Sequence, residues 1–281
     1  MIPAYSTCTG KRIRLERLID PVTGSCLVVA LDHGVTSPRF LPGLYDTGRR
    51  IDEAIDGGAT ALMLTRGIAR AYCDHYAGRA GLALMLTASA AGRPAGPQVT
   101  PIGSVDEALR IGADAVVVYV ALGGENEPAM IRYLSDVGEA CEFLGMPLIA
   151  EAEFPDAYET AEDTGRPADV EYLRRNARLC AEMGADIVKV NWSGDGSSFA
   201  SIVRACGRPV ILAGGPVLAS EELISRMQSA CDAGAIGCSV GRNVFEHADP
   251  KAMMQAISDV FKKPHDQQIA QQAVISAEFP H

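Results

Sequence analysis

The chain has no block of lysine or arginine. Its 25 basic residues stand against 35 acidic ones, a formal net charge of −10 and a pI near 5.0, and that balance excludes a phosphate-binding nucleic-acid surface. No apolar stretch approaches a membrane span, and Met1 to Gly10 has no basic segment followed by an apolar run. A cytoplasmic protein without a signal peptide is expected, with neither membrane nor nucleic acid among its partners. No Cys-x-x-Cys pair occurs among the eight scattered cysteines, Cys8, Cys26, Cys73, Cys141, Cys180, Cys206, Cys231 and Cys238, so mostly core, reduced thiols are expected. The five histidines, His33, His75, His247, His265 and His281, lack a pattern such as His-Glu-x-x-His. A zinc-dependent mechanism would then need histidines that converge only in space, and neither a metal nor a cofactor is expected. A Gly-x-Gly-x-x-Gly turn after the first apolar run is missing too, which weighs against a dinucleotide-binding open sheet.

What is present is repetition. Eight short, near-continuously apolar runs occur at Ser25–Gly34, Ala59–Leu64, Leu82–Leu86, Ala113–Val120, Pro147–Phe154, Ala185–Trp192, Pro209–Gly214 and Ala235–Gly241. Strands that are apolar along their whole length are those buried on both faces, as in a parallel sheet. Gly58, Gly112, Gly145, Gly184 and Gly234 each stand where a helix would stop shortly before the next run. Helix starts are marked by the capping spacing Ser104-Val-Asp-Glu107, by Ser220 ahead of Glu221 and Glu222, and by Asp249-Pro250. Eight strands alternating with helices through right-handed crossovers close most naturally into a single α/β domain, a (β/α)8 TIM barrel. The 281 residues, 48% of them hydrophobic, can bury such a core. Residues 1–24 are expected to be an N-terminal helical extension, in which Ile13, Arg14, Leu15, Leu18 and Ile19 fall near helical spacing and predict a helix under the barrel. Ala252, Met253, Ala256, Ile257, Val260 and Phe261 predict the face of a last helix against the barrel, and a Gln-rich tail occupies 265–281.

Barrel active sites lie at the C-terminal strand ends, so the polar residues there form one group. The first run ends in Asp32 and His33, the fifth in Glu151 and Glu153, the sixth in Lys189 and Asn191, the seventh in Gly214-Gly215 and the eighth in Gly241-Arg242. Alternation puts Glu151 and Glu153 on one face and Ile187, Lys189 and Asn191 on one face. If those faces are the inner ones, two carboxylates sit beside an amine. A lysine desolvated in this way attacks carbonyls and forms a Schiff base that serves as an electron sink. The plainer alternatives stay open at this point. Lys189 could keep its stem in the core and its head in water. The two glutamates could be solvent-facing partners of Lys189 or Arg66, Asp32 a capping residue, and His33 an anchor for its loop. The glycines after the last two runs, with Arg242, expose N–H donors where barrels of this kind hold phosphate.

Val29-Ala-Leu-Asp-His-Gly34, Gly123-Gly-Glu-Asn-Glu127, Ile187-Val-Lys-Val-Asn-Trp-Ser-Gly-Asp195, Ala213-Gly-Gly-Pro216 and Val240-Gly-Arg-Asn-Val-Phe245 together resemble the archaeal-type class I fructose-bisphosphate aldolase family. That family includes DeoC/LacD-like aldolases, aminodideoxyheptulosonate synthases and an autoinducer-2 phosphate thiolase, and the resemblance runs from about Asp32 to Phe261. It implies that Lys189 is the Schiff-base lysine, that Asp32 moves protons or binds hydroxyls, and that Gly214, Gly215, Gly241 and Arg242 hold a phosphate. It also implies a cytoplasmic homo-oligomer, often a decamer. One departure stands out: the family's proton-transferring tyrosine near the end of the fifth strand falls on Glu153 in an ungapped alignment from Pro147, or on Phe154 if Pro155 is aligned. A one-residue slip inverts a strand, so register favours Glu153 as the third catalytic residue beside Lys189 and Asp32. His33, Glu151 and Asn191 are the remaining substrate-binding candidates. The expected activity is a metal-independent class I aldolase acting on a phosphorylated keto sugar, with dihydroxyacetone phosphate as donor. Two other reactions keep the same lysine: transfer of a sugar-phosphate fragment to aspartate semialdehyde, and transfer to coenzyme A. A sugar-phosphate-binding homologue without chemistry is the non-enzymatic alternative.

Overall fold

The computed structural model describes residues 8–37, 40–89, 99–123, 126–154 and 169–262. Its strands are β1 (Cys26–Ala30), β2 (Ala61–Leu64), β3 (Gly81–Met85), β4 (Thr87–Ser89), β5 (Val99–Pro101), β6 (Ala115–Val120), β7 (Leu148–Ala152), β8 (Ile187–Val190), β9 (Val210–Ala213) and β10 (Gly237–Val240). Its helices are α1 (Thr9–Leu18), α2 (His33–Thr36), α3 (Thr47–Asp56), α4 (Arg66–Ala71), α5 (Cys73–Tyr76), α6 (Val105–Ile111), α7 (Glu127–Leu144), α8 (Val170–Glu182), α9 (Gly196–Cys206), α10 (Ser220–Asp232), α11 (Arg242–Phe245) and α12 (Pro250–Phe261). Eight strands, all paired in parallel, close a barrel in the order β1-β10-β9-β8-β7-β6-β3-β2. The eight apolar runs therefore became the eight staves of a (β/α)8 barrel. The antiparallel β4–β5 pair beyond β3 was not anticipated, because three-residue strands are too short to show an alternating pattern.

Alternation sorts each strand into two cores. Cys26, Val28, Ala30, Ala61, Met63, Ala83, Met85, Ala115, Val117, Ile149, Ile187 and Ile211 fill the barrel interior, joined by Leu15, Leu18 and Ile19 from the N-terminal segment. The intervening residues, such as Leu27, Leu62, Val118, Ala150, Val188 and Leu212, pack against the helices. As the sequence predicted, α1 lies under the barrel, but Ile13 is exposed and Lys11 is buried instead. Lys11 reaches Glu142 at 2.9 Å and Asp186 at 3.2 Å, and Arg14 donates to the Gly145 carbonyl, so polar contacts fasten the plug. On α12, Met254 is buried and Ala252 exposed, a shift of the expected stripe around the helix.

The five punctuating glycines all adopt positive φ. Ser104 caps α6 by accepting from the Glu107 N–H, and Asp249 caps α12 ahead of Pro250. Ser220 does not cap: it is the first residue of α10, and its hydroxyl meets His247 Nε2 at 3.2 Å. Six cysteines are buried, whereas Cys73 is exposed and Cys8 half-buried. The Gln-rich tail and the Gly124-Glu125 part of one motif lie outside the described residues. Among the described residues, no helix is long and apolar enough to cross a membrane.

Closure depends on a glycine. A Cβ on Gly237 would lie 1.8 Å from the Cys26 carbonyl oxygen, where β10 meets β1. Gly237→Ala is therefore expected to cost more than about 3 kcal/mol in denaturant unfolding, since backbone cannot yield as a side-chain tip does. Gly67→Ala, in helix α4 with open space around it, should instead stabilise by about 0.5–1 kcal/mol.

Candidate active site

The inward parity that fills the barrel with methyl groups continues to the C-terminal strand ends, where the residues become polar. Glu151 is paired in register with Tyr119 on β6 and with Lys189 on β8. Lys189 Nζ donates to Glu151 Oε1 at 2.6 Å and stands 2.7 Å from Glu153 Oε1. The three side chains are at most 6% exposed, which rules out a lysine head in bulk water and solvent-facing glutamates. Arg66 is engaged elsewhere, 3.1 Å from Glu107.

A cleft of about 400 Å³, including its open mouth, is lined by His33, Glu153, Lys189, Asn191, Gly214, Gly215, Gly241 and Arg242, with Ala30, Ala213 and Ser239 between them. Eight of the ten candidate residues thus share one cavity. Asp32 and Glu151 are buried beside it and do not line it. Asp32 precedes α2 without a side-chain capping bond, and its Oδ1 is 3.8 Å from His33 Nδ1.

Burial dominates the protonation of these groups. It pushes the Asp32 carboxyl up to about 6, against the pull of the Lys189 ammonium and with Glu153 adding to the rise. Glu151 is likewise pushed up to about 7 by burial, opposed by Lys189 and reinforced by Glu153 and Asp32. Three ionised carboxylates around one ammonium would leave two negative charges without a partner among these four groups, so the cluster retains protons near neutrality. His33 moves the other way, down to about 3, through burial and the nearby Arg242 and Lys189. It is a neutral imidazole, edge-on to Phe245 at 5.1 Å.

After β9 and β10, Gly215 has φ +66°, and Arg242 donates to its carbonyl at 3.0 Å. Gly241 must be glycine, because a Cβ there would lie 2.4 Å from His33 Cε1 and 2.9 Å from the Ala30 carbonyl. Asn243, buried one residue beyond Arg242, donates to the Gly214 and Pro216 carbonyls and accepts from the Leu218 N–H. It splints the glycine loop after β9. The end of β7 is held in a similar way: Tyr119 Oη donates to the Phe154 carbonyl at 2.8 Å, and Asn191 Oδ1 accepts from the Phe154 N–H at 2.7 Å. Asn176 on α8 donates to the Val120 carbonyl and, at 3.5 Å, to that of Glu153. Phe154 stacks on Tyr172 at 5.4 Å within the outer core, so Glu153 and not Phe154 faces the cleft.

Sequence reasoning missed Tyr119, Asn176, Asn243 and Ser239. The parity that singled out Lys189 could have found Tyr119 and Ser239 inside their apolar runs. Asn176 was visible as a polar residue between Leu173, Ala177 and Cys180 on the buried face of α8. Among the described residues, no group of three or more His, Cys, Asp or Glu could hold a metal ion. A buried amine opening onto a cleft, with carboxyl groups that exchange protons near neutrality, can add to a carbonyl and move the protons that addition requires.

A family model for DeoC/LacD family aldolases matches residues 26–247. A 2-amino-3,7-dideoxy-D-threo-hept-6-ulosonate synthase of Halobacterium salinarum is 36% identical over 264 residues, 94% of this chain and 96% of that protein. A 2-amino-4,5-dihydroxy-6-oxo-7-(phosphonooxy)heptanoate synthase of Streptomyces griseus is 31% identical, over 89% of this chain and 90% of that protein. Among solved structures, a Schiff-base-forming fructose-1,6-bisphosphate aldolase superimposes with a TM-score of 0.78 at 27% identity, covering 89% of this chain and 99% of its own. The match spans every barrel strand and the whole cleft, and the chain belongs to the DeoC/LacD aldolase family of enzymes.

Proposed function

We propose that the protein is a metal-independent class I synthase that joins a three-carbon ketone fragment to aspartate semialdehyde through a Schiff base on Lys189. The observation that carries the chemistry is the Lys189 amine, buried between Glu151 and Glu153 and opening onto the cleft. The substrate reading draws on the names of the two relatives. Both products are seven-carbon amino acids with a ketone at carbon 6. Parting the bond between carbons 4 and 5 leaves a three-carbon ketone and the four-carbon semialdehyde, the fragments an enamine mechanism would join. Lys189 condenses with the ketone, the iminium draws electrons as Glu153 removes the neighbouring carbon-bound proton, and the enamine attacks the aldehyde. Asp32 supports this proton transfer from its buried position. Gly214, Gly215, Gly241 and Arg242 hold a phosphate on the donor, with neutral His33 and Asn191 beside it.

This reading moves ahead of the sugar-phosphate aldolase expected from the sequence and its family resemblance. Reversible cleavage of a phosphorylated keto sugar is the second reading, favoured by the likeness to the fructose-bisphosphate aldolase.

The test incubates the enzyme with dihydroxyacetone phosphate and either aspartate semialdehyde or glyceraldehyde 3-phosphate. A seven-carbon amino acid phosphate formed in preference to a hexose bisphosphate supports the synthase, and the reverse preference supports the aldolase. Borohydride added with the donor should increase the mass of the peptide containing Lys189; no adduct and no product with any three-carbon ketone would retire both readings.

A further inference from the structure

Glu151 and Glu153 both contact the amine, but only Glu153 also lines the cleft. Two carboxyl groups on one nitrogen, one reachable by substrate and the other walled off, divide the proton traffic. We infer that Glu151 accepts a proton from the Lys189 ammonium as the Schiff base forms, holds it through the covalent phase, and returns it when the amine is regenerated. The inference rests on the Schiff-base reading above.

Geometry carries it. Nζ and Oε1 are 2.6 Å apart, a distance over which a proton moves without rearrangement of either side chain. Glu151 is 1% exposed, so bulk water is not a ready acceptor. The groups facing Glu151 are Lys189 from β8, Glu153 from its own strand, Asp32 beyond β1, and Tyr119 from β6. Tyr119 directs its hydroxyl to the Phe154 carbonyl. Burial and the neighbouring acids raise the affinity of Glu151 for a proton to about pH 7, well above that of an ordinary carboxylate, which eases transfer from the ammonium.

The steps balance. An N–H bond of the ammonium breaks and an O–H bond forms on Glu151. The neutral amine adds to the ketone carbon, and the C=O pair moves to oxygen. That oxygen leaves as water with one proton from nitrogen and one from Glu153 in its acid form. The iminium charge then faces the Glu153 carboxylate, while Glu151 stays neutral. Hydrolysis after bond formation reverses each transfer, and Glu151 gives its proton back to the amine.

The experiment follows single-turnover borohydride trapping of Lys189 with dihydroxyacetone phosphate between pH 6 and 9. Wild type, Glu151→Gln and Glu151→Asp are compared by mass of the modified peptide. The wild-type rate should vary less than about threefold between pH 7 and 9 and fall by up to about tenfold toward pH 6, where Glu151 itself takes up a proton. Glu151→Gln should be slower by about a hundredfold at pH 7 and gain about tenfold per pH unit, because the ammonium must lose its proton to solvent. Glu151→Asp keeps an acceptor and should keep a flat profile at an intermediate rate, which also serves if the glutamine variant fails to fold. A Glu151→Gln rate lowered by one constant factor at every pH, a Gln profile equal to wild type, or a Glu151→Asp rate that climbs about tenfold per pH unit would overturn the inference while leaving the Schiff base in place. Absence of any wild-type adduct would overturn both.

Discussion

Lys189→Met is expected to abolish the borohydride adduct and to lower turnover by about ten-thousandfold or more, the scale of removing a covalent nucleophile. Its effect on stability should depend on pH. Losing one partner of a buried ion pair costs about 3–5 kcal/mol when the remaining charges stay ionised. Here the remaining groups are acids that can take up protons. Without the ammonium that opposes it, burial lifts Asp32 and Glu151 beyond their already raised values of about 6 and 7. Both acids ionise near pH 4 in the unfolded chain, so between there and neutrality the folded state binds more protons. Stability contributed by such groups is fully present below the unfolded pKa and is lost as pH rises through the folded one. His33 acts in the opposite sense between about pH 3 and 6.5, being neutral when folded and protonated when unfolded. Removing Lys189 also removes part of what holds His33 down, which weakens that opposing slope. Urea unfolding should therefore show a small loss in Lys189→Met at pH 5 and most of the 3–5 kcal/mol loss at pH 8. Equal losses at the two pH values would mean that the carboxyl cluster does not hold protons as described. Retained turnover would remove Lys189 from the chemistry.

Glu153→Gln is expected to lower turnover by about a hundred to ten-thousandfold, the range for removing a general acid–base group. Exchange of the carbon-bound protons of dihydroxyacetone phosphate with deuterated water should fall by the same factor, because the same group moves that proton. Glu153 earns this role by position, being buried, 2.7 Å from Nζ and on the cleft wall, while the neighbouring Phe154 ring lies in the outer core. Glu153→Tyr should recover part of the lost exchange, since a phenol from this strand position is the group that the resemblance to class I aldolases implies. Undiminished exchange in Glu153→Gln would pass the role to Asp32.

The barrel was legible because its signals are local. A strand buried on both faces must be apolar throughout, and Leu27-Val-Val-Ala30 or Ala115-Val-Val-Val118 show that without reference to anything distant. Helix ends at Gly112 and Gly145 are equally local, since only a residue without a side chain takes their positive φ cheaply. Local reasoning failed where a role is assigned by competition. Ser220 carries a capping signature, yet its hydroxyl is drawn to His247, 27 positions away. The exact apolar stripe of α12 shifted because the neighbouring helices, and not its own periodicity, set which side is covered.

The amino-acid order alone was enough to place a lysine and two glutamates on like faces of two strands, since alternation needs only a count of two. It was also enough to name the loops that carry the glycines and Arg242. Tertiary structure decided that these faces are the inner ones and that the amine meets Glu151 across 38 positions of chain, and Glu153 beside it. It also separated Glu151 from the cleft and left Glu153 on it, and it recruited Asn176 to a carbonyl 56 positions away. Which carboxyl lines the cleft, and which lies behind the lysine, follows from how far each strand is slid against the next when the sheet closes, a quantity no local stretch encodes.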